Sequence, residues 1–345
     1  GARLARAALR KPGGDWRAPA LTILARWAEL ETDSPWPYLA RGHFLAQTGD
    51  RRQAAGVFRR ALEIRPGWEL AVVGLARTQP VDEAIPALGE FLGGHPEALR
   101  ARRHLAEALL RADRPREARA EYQRLIDKGE DPPEVWLGLG LAHYRLEQWP
   151  EAERAFQRAL ARRSGYGAAL FYLGRVAEQD ARHERAANLY SQVRQGRYVE
   201  QSRLREAMAR LEAGQAQQAL QVARQLRRYR LDEPGYYQLE ARILLELGQP
   251  EGAATVADAG LQREPKNPVP LRYVRALARE RMGDHEAMET DIRAILQQDP
   301  DNADAYNFLG FSLAERGVRL QEALRLIRKA NELSPDQAYI IDPDK

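Results

Sequence analysis

The sequence predicts an all-α fold, a right-handed α-solenoid of stacked helical hairpins, and three observations carry that prediction. A set of small, aromatic and aliphatic residues recurs about every 34 residues. Between those positions the apolar residues follow a helical period, with no alternation of the kind a strand requires. Glycine and proline punctuate each unit at matching places, as at Gly49, Gly214, Gly248 and Gly283 and at Pro66, Pro96, Pro132, Pro265, Pro300 and Pro335. Glycine takes the left-handed conformation that ends a first helix. Proline closes a second helix and starts the next unit.

The clearest unit is Trp136, Leu139, Gly140 and His143, followed by Ala152, Phe156 and Ala159. It resembles the tetratricopeptide repeat, a hairpin of two helices. The pattern returns as Leu170, Leu173, Gly174, Ala177, Ala186, Tyr190 and Val193, as Tyr306, Leu309, Gly310, Leu313 and Ala323, and as Tyr38, Gly42, Leu45, Ala54, Phe58, Ala61 and Pro66. Repeats are expected to start near 35, 69, 99, 133, 167, 200, 234, 269 and 303, in one continuous solenoid over residues 1–345 with a partial unit over 1–34. Small residues such as Gly140 and Ala152 let the paired helices approach, while Trp136, Leu139, Phe156 and Ala159 fill the space between them.

Irregular units are informative as well. Ala76 to Ala84 spans eight positions where about twelve are usual, so the unit starting near 69 is expected to have a shortened first helix. Two residues are inserted around Gly129 to Pro133 and one before Ala323. The stretch Gln195 to Gln201 lacks a closing proline, which predicts an indistinct boundary there. Residues 337–345 read as the start of an incomplete helix.

Composition narrows the function classes. The 345 residues are 44% apolar, enough for a large core. Cysteine is absent, which excludes disulfides, iron–sulfur clusters, Cys-ligated zinc and thiol catalysis within this chain. Apolar runs such as Ala71 to Ala76 and Leu137 to Ala142 fall far short of the roughly 20 residues of a membrane-spanning helix. The chain opens with Gly1 and carries no charged-then-apolar leader, which predicts a processed or excised polypeptide.

Catalytic patterns are missing and no cofactor is expected. None of His43, His95, His104, His143, His183 and His285 stands in a recognised ligand spacing. His143 is read as a packed hairpin residue, and His183 and His285 as turn residues. Gly310-Phe311-Ser312-Leu313-Ala314 lacks the second glycine of a nucleophile elbow and falls inside a helix. Gly138-Leu139-Gly140 has neither the preceding strand nor the third glycine of a dinucleotide loop.

Net charge is only +4, from 53 Lys and Arg against 49 Asp and Glu, but it is unevenly spread. Residues 175–231 hold 12 basic and six acidic residues, whereas residues 232–345 hold 14 basic and 21 acidic. Arg224, Arg227, Arg228 and Arg230 lie at a helix end, where cations complement the carbonyl dipole, and no nucleic-acid partner is expected. First helices of stacked hairpins line the concave face of a solenoid. Registering the repeats places Tyr144, Phe171, Arg175, Met208, Arg242, Tyr273, Asn307 and Phe311 there, the aromatic and arginine types enriched at binding hot spots. An extended or helical protein segment is the expected ligand of such a groove.

The carboxyl half carries a narrower likeness. Arg275-Ala276-Leu277-Ala278, Met282-Gly283-Asp284, Met288-Glu289, Asp291-Ile292-Arg293 and the run DPDNADAYNFLGFSLA from Asp299 to Ala314 are similar to one proteobacterial lineage of tetratricopeptide outer-membrane lipoproteins. The resemblance implies an adaptor that binds a periplasmic carboxyl-terminal processing protease and presents cell-wall hydrolases to it. It also implies a periplasmic location, with contact to the membrane only through a lipid anchor; the chain itself has no cysteine, so the tether would lie upstream of Gly1. A scaffold for exopolysaccharide or envelope export and assembly complexes is the alternative reading.

Overall fold

The computed structural model describes residues 17–335, and among them every regular element is a helix. The incomplete helix expected over 337–345 lies outside the described residues. The chain divides into two compact units, Gly1–Val176 and Ala177–Lys345.

In the first unit α1 (Arg17–Leu30) precedes the hairpins α2 (Trp36–Gln47) with α3 (Arg51–Ile64), α4 (Glu69–Ala76) with α5 (Val81–Gly94), α6 (Leu99–Arg111) with α7 (Pro115–Asp127), and α8 (Pro133–Arg145) with α9 (Trp149–Arg162). Each first helix packs on its own second helix and on the first helix of the next hairpin, α2 on α4, α4 on α6 and α6 on α8. The helix α4 has only eight residues, the shortened element that the Ala76 to Ala84 spacing predicts. Pro86 is accommodated inside α5.

Helix pairing here rests on backbone approach at small residues. Phe58 of α3 is fully buried, and Cβ atoms built at Gly42 of α2 and Gly74 of α4 would lie 2.7 and 2.5 Å from its ring. Phe156 of α9 stands in the same relation to Gly140 of α8, at 2.5 Å. A methyl group at any of these positions would occupy the space that the aromatic ring fills.

The helix α10 (Gly167–Gln179) contains the division between the units. Beyond it come α11 (His183–Ser191), α12 (Val199–Glu212) with α13 (Ala216–Tyr229), α14 (Pro234–Glu246) with α15 (Pro250–Leu261), α16 (Val269–Arg281) with α17 (His285–Gln298), and α18 (Ala303–Glu315) with α19 (Leu320–Leu333). The core of this unit is built from residues such as Leu244, Ile243, Val274 and Leu220, and from Met288, Ile292, Ile295 and Leu309.

The turn inside most hairpins holds a left-handed residue; the turn from Arg77 to Pro80 between α4 and α5 holds none. Glycine takes that conformation at Gly49, Gly214, Gly248 and Gly283, but Asp113, Glu147 and Ala181 occupy equivalent turns with φ of 55, 57 and 52°. A side chain in this region costs roughly 1–2 kcal/mol, so the repeat geometry overrides local preference at those three sites.

Four buried carboxylates are each held by two arginines; those of Asp291, Glu240 and Glu121 tie neighbouring helices together, and that of Glu206 braces α12 from within. Asp291 of α17 is 2% exposed and accepts from Arg275 Nε at 2.9 Å and Arg279 Nη1 at 2.7 Å, both on α16. Glu240 is held by Arg224 and Arg227, Glu206 by Arg203 and Arg210, and Glu121 by Arg102 and Arg124. At the surface of the last two hairpins, Glu289 of α17 accepts from Arg319, which precedes α19, and from Arg293, which also reaches Glu322. These hydrogen bonds, Arg319 foremost, hold the Glu289 carboxyl down at about 2.

Three outcomes are expected. Gly140→Val forces the Phe156 ring aside and destabilises the α8–α9 hairpin by about 2 kcal/mol, seen as faster amide hydrogen exchange confined to those helices and their neighbours. Glu147→Gly relieves the left-handed turn and stabilises the same hairpin by about 1 kcal/mol; unchanged exchange protection would show that the turn carries no strain. The folded-state depression of Glu289 contributes stability that is complete above its ordinary value near 4.5 and is lost as pH falls from there toward about 2. Acid titration of the Glu289→Gln protein, followed by urea midpoints, is expected to be flatter over that window than titration of the unaltered chain.

Candidate protein-binding groove

Three first helices of the second unit, α14, α16 and α18, border a cleft of about 390 Å³. Prolines start two of them, Pro234 at the first position of α14 and Pro270 at the second of α16, where a missing N–H costs nothing. Asn302 starts the third, its side-chain oxygen accepting from the Ala305 N–H at 2.9 Å.

The cleft is built from helical stripes. Gln238, Arg242 and Glu246 follow one another at four-residue steps along α14, and Val269, Tyr273, Leu277 and Arg281 do the same along α16. Asn302 and Asp304 close the end at the start of α18. The Tyr273 ring is half-buried and meets Phe308 at 5.7 Å between centroids. Burial, reinforced by the negative charge of Asp304, pushes the Tyr273 hydroxyl above its ordinary value, so it stays a neutral hydrogen-bonding group. Arg281 donates to the carbonyl of Leu245 and thereby bridges the end of α14 to α16. Arg242 is exposed at the mouth. The result is an apolar floor with Arg242, Arg281 and Glu246 toward the carboxyl ends of α14 and α16 and Asp304 at the amino end of α18, suited to grip a polypeptide segment with a side chain of mixed character.

The eight residues expected on the groove separate into distinct groups. Arg242 and Tyr273 meet in the cleft. Asn307 and Phe311 continue the Asp304 face of α18 at helical spacing, Asn307 half-buried and Phe311 41% exposed. Met208, on α12, is 47% exposed. In the first unit Tyr144 is half-buried, edge-on to Trp149 and Tyr172 at 5.2 and 5.5 Å, with the Arg175 guanidinium 5.9 Å from its ring.

Phe171 departs from the expectation of a groove anchor. It is only 5% exposed and stands edge-on to Tyr172 at 5.2 Å, so its ring is committed to packing. The residues sequence reasoning passed over, Gln238, Val269, Leu277, Arg281 and Asp304, carry one usable signal: four of them lie at multiples of four from Arg242 or Tyr273.

Ser312 is buried and hydrogen-bonded to a carboxylate. It is 3% exposed inside α18 and donates from Oγ to Glu280 Oε1 at 2.7 Å, while His285 Nδ1 lies 2.8 Å from the other oxygen of Glu280. The carboxylate therefore stands between hydroxyl and imidazole, so the imidazole does not accept from the serine as it does in a Ser–His–Asp triad. His143 contacts Gln148 Oε1 through Nδ1 at 2.7 Å and is half-buried. Among the described residues no three metal-capable side chains gather, and no helix is long and apolar enough to cross a membrane.

Known proteins fit this geometry. Models of the tetratricopeptide repeat match residues 81–141, and 137–198, 204–268 and 273–338. A TPR repeat-containing protein of Pseudomonas aeruginosa is 37% identical over 179 residues, which cover 51% of this chain and 30% of the relative, so the match spans less than a third of that protein's length. The crystal structure of the C-terminal part of a TPR repeat-containing protein from Cytophaga hutchinsonii is similar with a TM-score of 0.57 at 13% identity, over 68% of this chain and 96% of that one. That of PilW, a widely conserved type IV pilus biogenesis factor, is similar with a TM-score of 0.51 at 20% identity, over 56% and 92%. At such identities the two structures show a shared fold. With repeat models covering more than half of its length, the chain belongs to the tetratricopeptide-repeat family.

Proposed function

We propose that this tetratricopeptide scaffold is a non-enzymatic adaptor whose α14–α16–α18 cleft takes a segment of a carboxyl-terminal processing protease or of the cell-wall hydrolases delivered to it. Tetratricopeptide repeats are protein-binding scaffolds, and the coarse role follows from the family. The observation that carries the finer reading is the convergence of Arg242 and Tyr273, from successive first helices, on one cleft with an apolar floor. The likeness of residues 272–342 to the lipoprotein lineage supports the choice of partner. On this reading the protein works in the periplasm, held to the outer membrane by a lipid anchor outside this chain.

The partner segment would lay an apolar side chain on Val269, Tyr273 and Leu277, set a carboxylate against Arg242 and present a donor to Asp304. Crosslinking in native envelopes, followed by a cleavage assay with purified protease and hydrolase, tests this. The unaltered chain is expected to recover the protease and accelerate cleavage. Tyr273→Ala and Arg242→Glu are each expected to weaken recovery by about tenfold, the effect of losing one hot-spot contact. Absence of both recovery and acceleration with the unaltered chain, or recovery dominated by export components, would overturn the reading.

A further inference from the structure

A second cleft lies away from the groove, where one hairpin is cut short. The second helix α11 has nine residues, whereas α13, α15, α17 and α19 have 12 to 14. It stops at Ser191, and the chain then runs irregularly to α12 through Gly196, whose φ of +90° requires glycine. This segment, the first turns of α12 and the carboxyl half of α13 border about 440 Å³.

The floor of this cleft is apolar, formed by Val199, Val222 and Leu226, the last two 7 and 4% exposed. Its rim carries Tyr229, which is 77% exposed, the most exposed of the chain's large apolar residues described. An aromatic ring left in water beside an apolar floor marks a surface that gains by being covered. The ionic groups at the rim are unequal. Arg203 is tied to Glu206 at 2.7 Å, and Glu200 accepts from Arg230 at 2.9 Å and from the Tyr236 hydroxyl. Arg197 lies over the Tyr198 ring at 4.8 Å and meets no carboxylate among the described residues. Around it, residues 175–231 hold twice as many basic as acidic side chains.

We propose that this cleft is a separate docking site for an acidic peptide segment of a partner protein, which places one large apolar side chain between Tyr229 and the Val222–Leu226 floor and a carboxylate on Arg197. The charge of the surrounding surface complements such a segment and repels basic ones. A nucleic acid fits less well. Its affinity depends on many phosphate contacts, whereas Arg203 and Arg230 already hold carboxylates of this chain, and the floor offers nothing to a sugar–phosphate backbone. The site goes beyond the adaptor reading and does not depend on it, because it shares no residue with the α14–α16–α18 cleft.

The probe is a short fluorescein-labelled peptide rich in glutamate with a single tryptophan, titrated into the full chain and followed by anisotropy. Its controls are the same peptide with lysine for glutamate, the same with alanine for tryptophan, and a labelled single-stranded oligonucleotide. The acidic tryptophan peptide is expected to bind, and each control to bind at least about tenfold more weakly. Arg197→Glu and Tyr229→Ala, both on exposed side chains outside the core, are each expected to weaken it by about tenfold, while Tyr273→Ala leaves it unchanged. No binding by the unaltered chain, equal binding of the oligonucleotide, affinity unmoved by both cleft substitutions, or loss confined to Tyr273→Ala would each overturn the proposal.

Discussion

The Phe58 ring lies against the backbones of two first helices at once, and neither Gly42 nor Gly74 leaves room for another atom between them. A hairpin of this kind cannot bury its apolar stripe alone. Its second helix needs the first helix of its own hairpin and that of the next, so stability arises between neighbours. The same contact recurs between Phe156 and Gly140. Wherever it holds, the distance and rotation of adjacent helices are set by ring size and backbone radius, and the remaining faces of the first helices are left for other work.

Arginine is the second structural resource. The chain has 48 arginines and five lysines, and many of the guanidinium groups are spent internally. Asp291, Glu240, Glu206 and Glu121 are nearly inaccessible, and each is clamped by two arginines. A buried carboxylate with one partner would be costly to desolvate; a planar guanidinium on each side satisfies its lone pairs and restores the balance. Three of these clamps join neighbouring helices, and Arg275 also links Asp258 of α15 to Asp291 of α17; the fourth, at Glu206, braces α12 from within. A net charge of +4 therefore conceals two populations of arginine, one structural and one exposed.

Regularity supplies the groove and irregularity the second cleft. Residues at four-residue steps on α14 and α16 face the same way because both helices hold the same phase in successive repeats. The shortened α11 and the irregular chain after it break that regularity, and the second cleft opens between that chain, the start of α12 and α13.

The fold class was legible in the sequence because its cause is local. Glycine at a turn and apolar positions at helical period act over a few residues, a small residue facing an aromatic one acts within a hairpin or between neighbours, and all of them repeat. Of the candidate groove, Arg242 and Tyr273 were legible by register, since both sit at the same phase of a first helix. Phe171 was misread for the same reason: a single helix has one phase but several neighbours, and only packing shows whether a given aromatic is covered, as this one is beside Tyr172. The cleft walls, the double-arginine clamps and the notch behind α11 were decided by tertiary structure alone. Except at Glu206, whose two arginines share its own helix, each joins side chains from different helices, and their meeting depends on distances and rotations that no single stretch of the chain encodes.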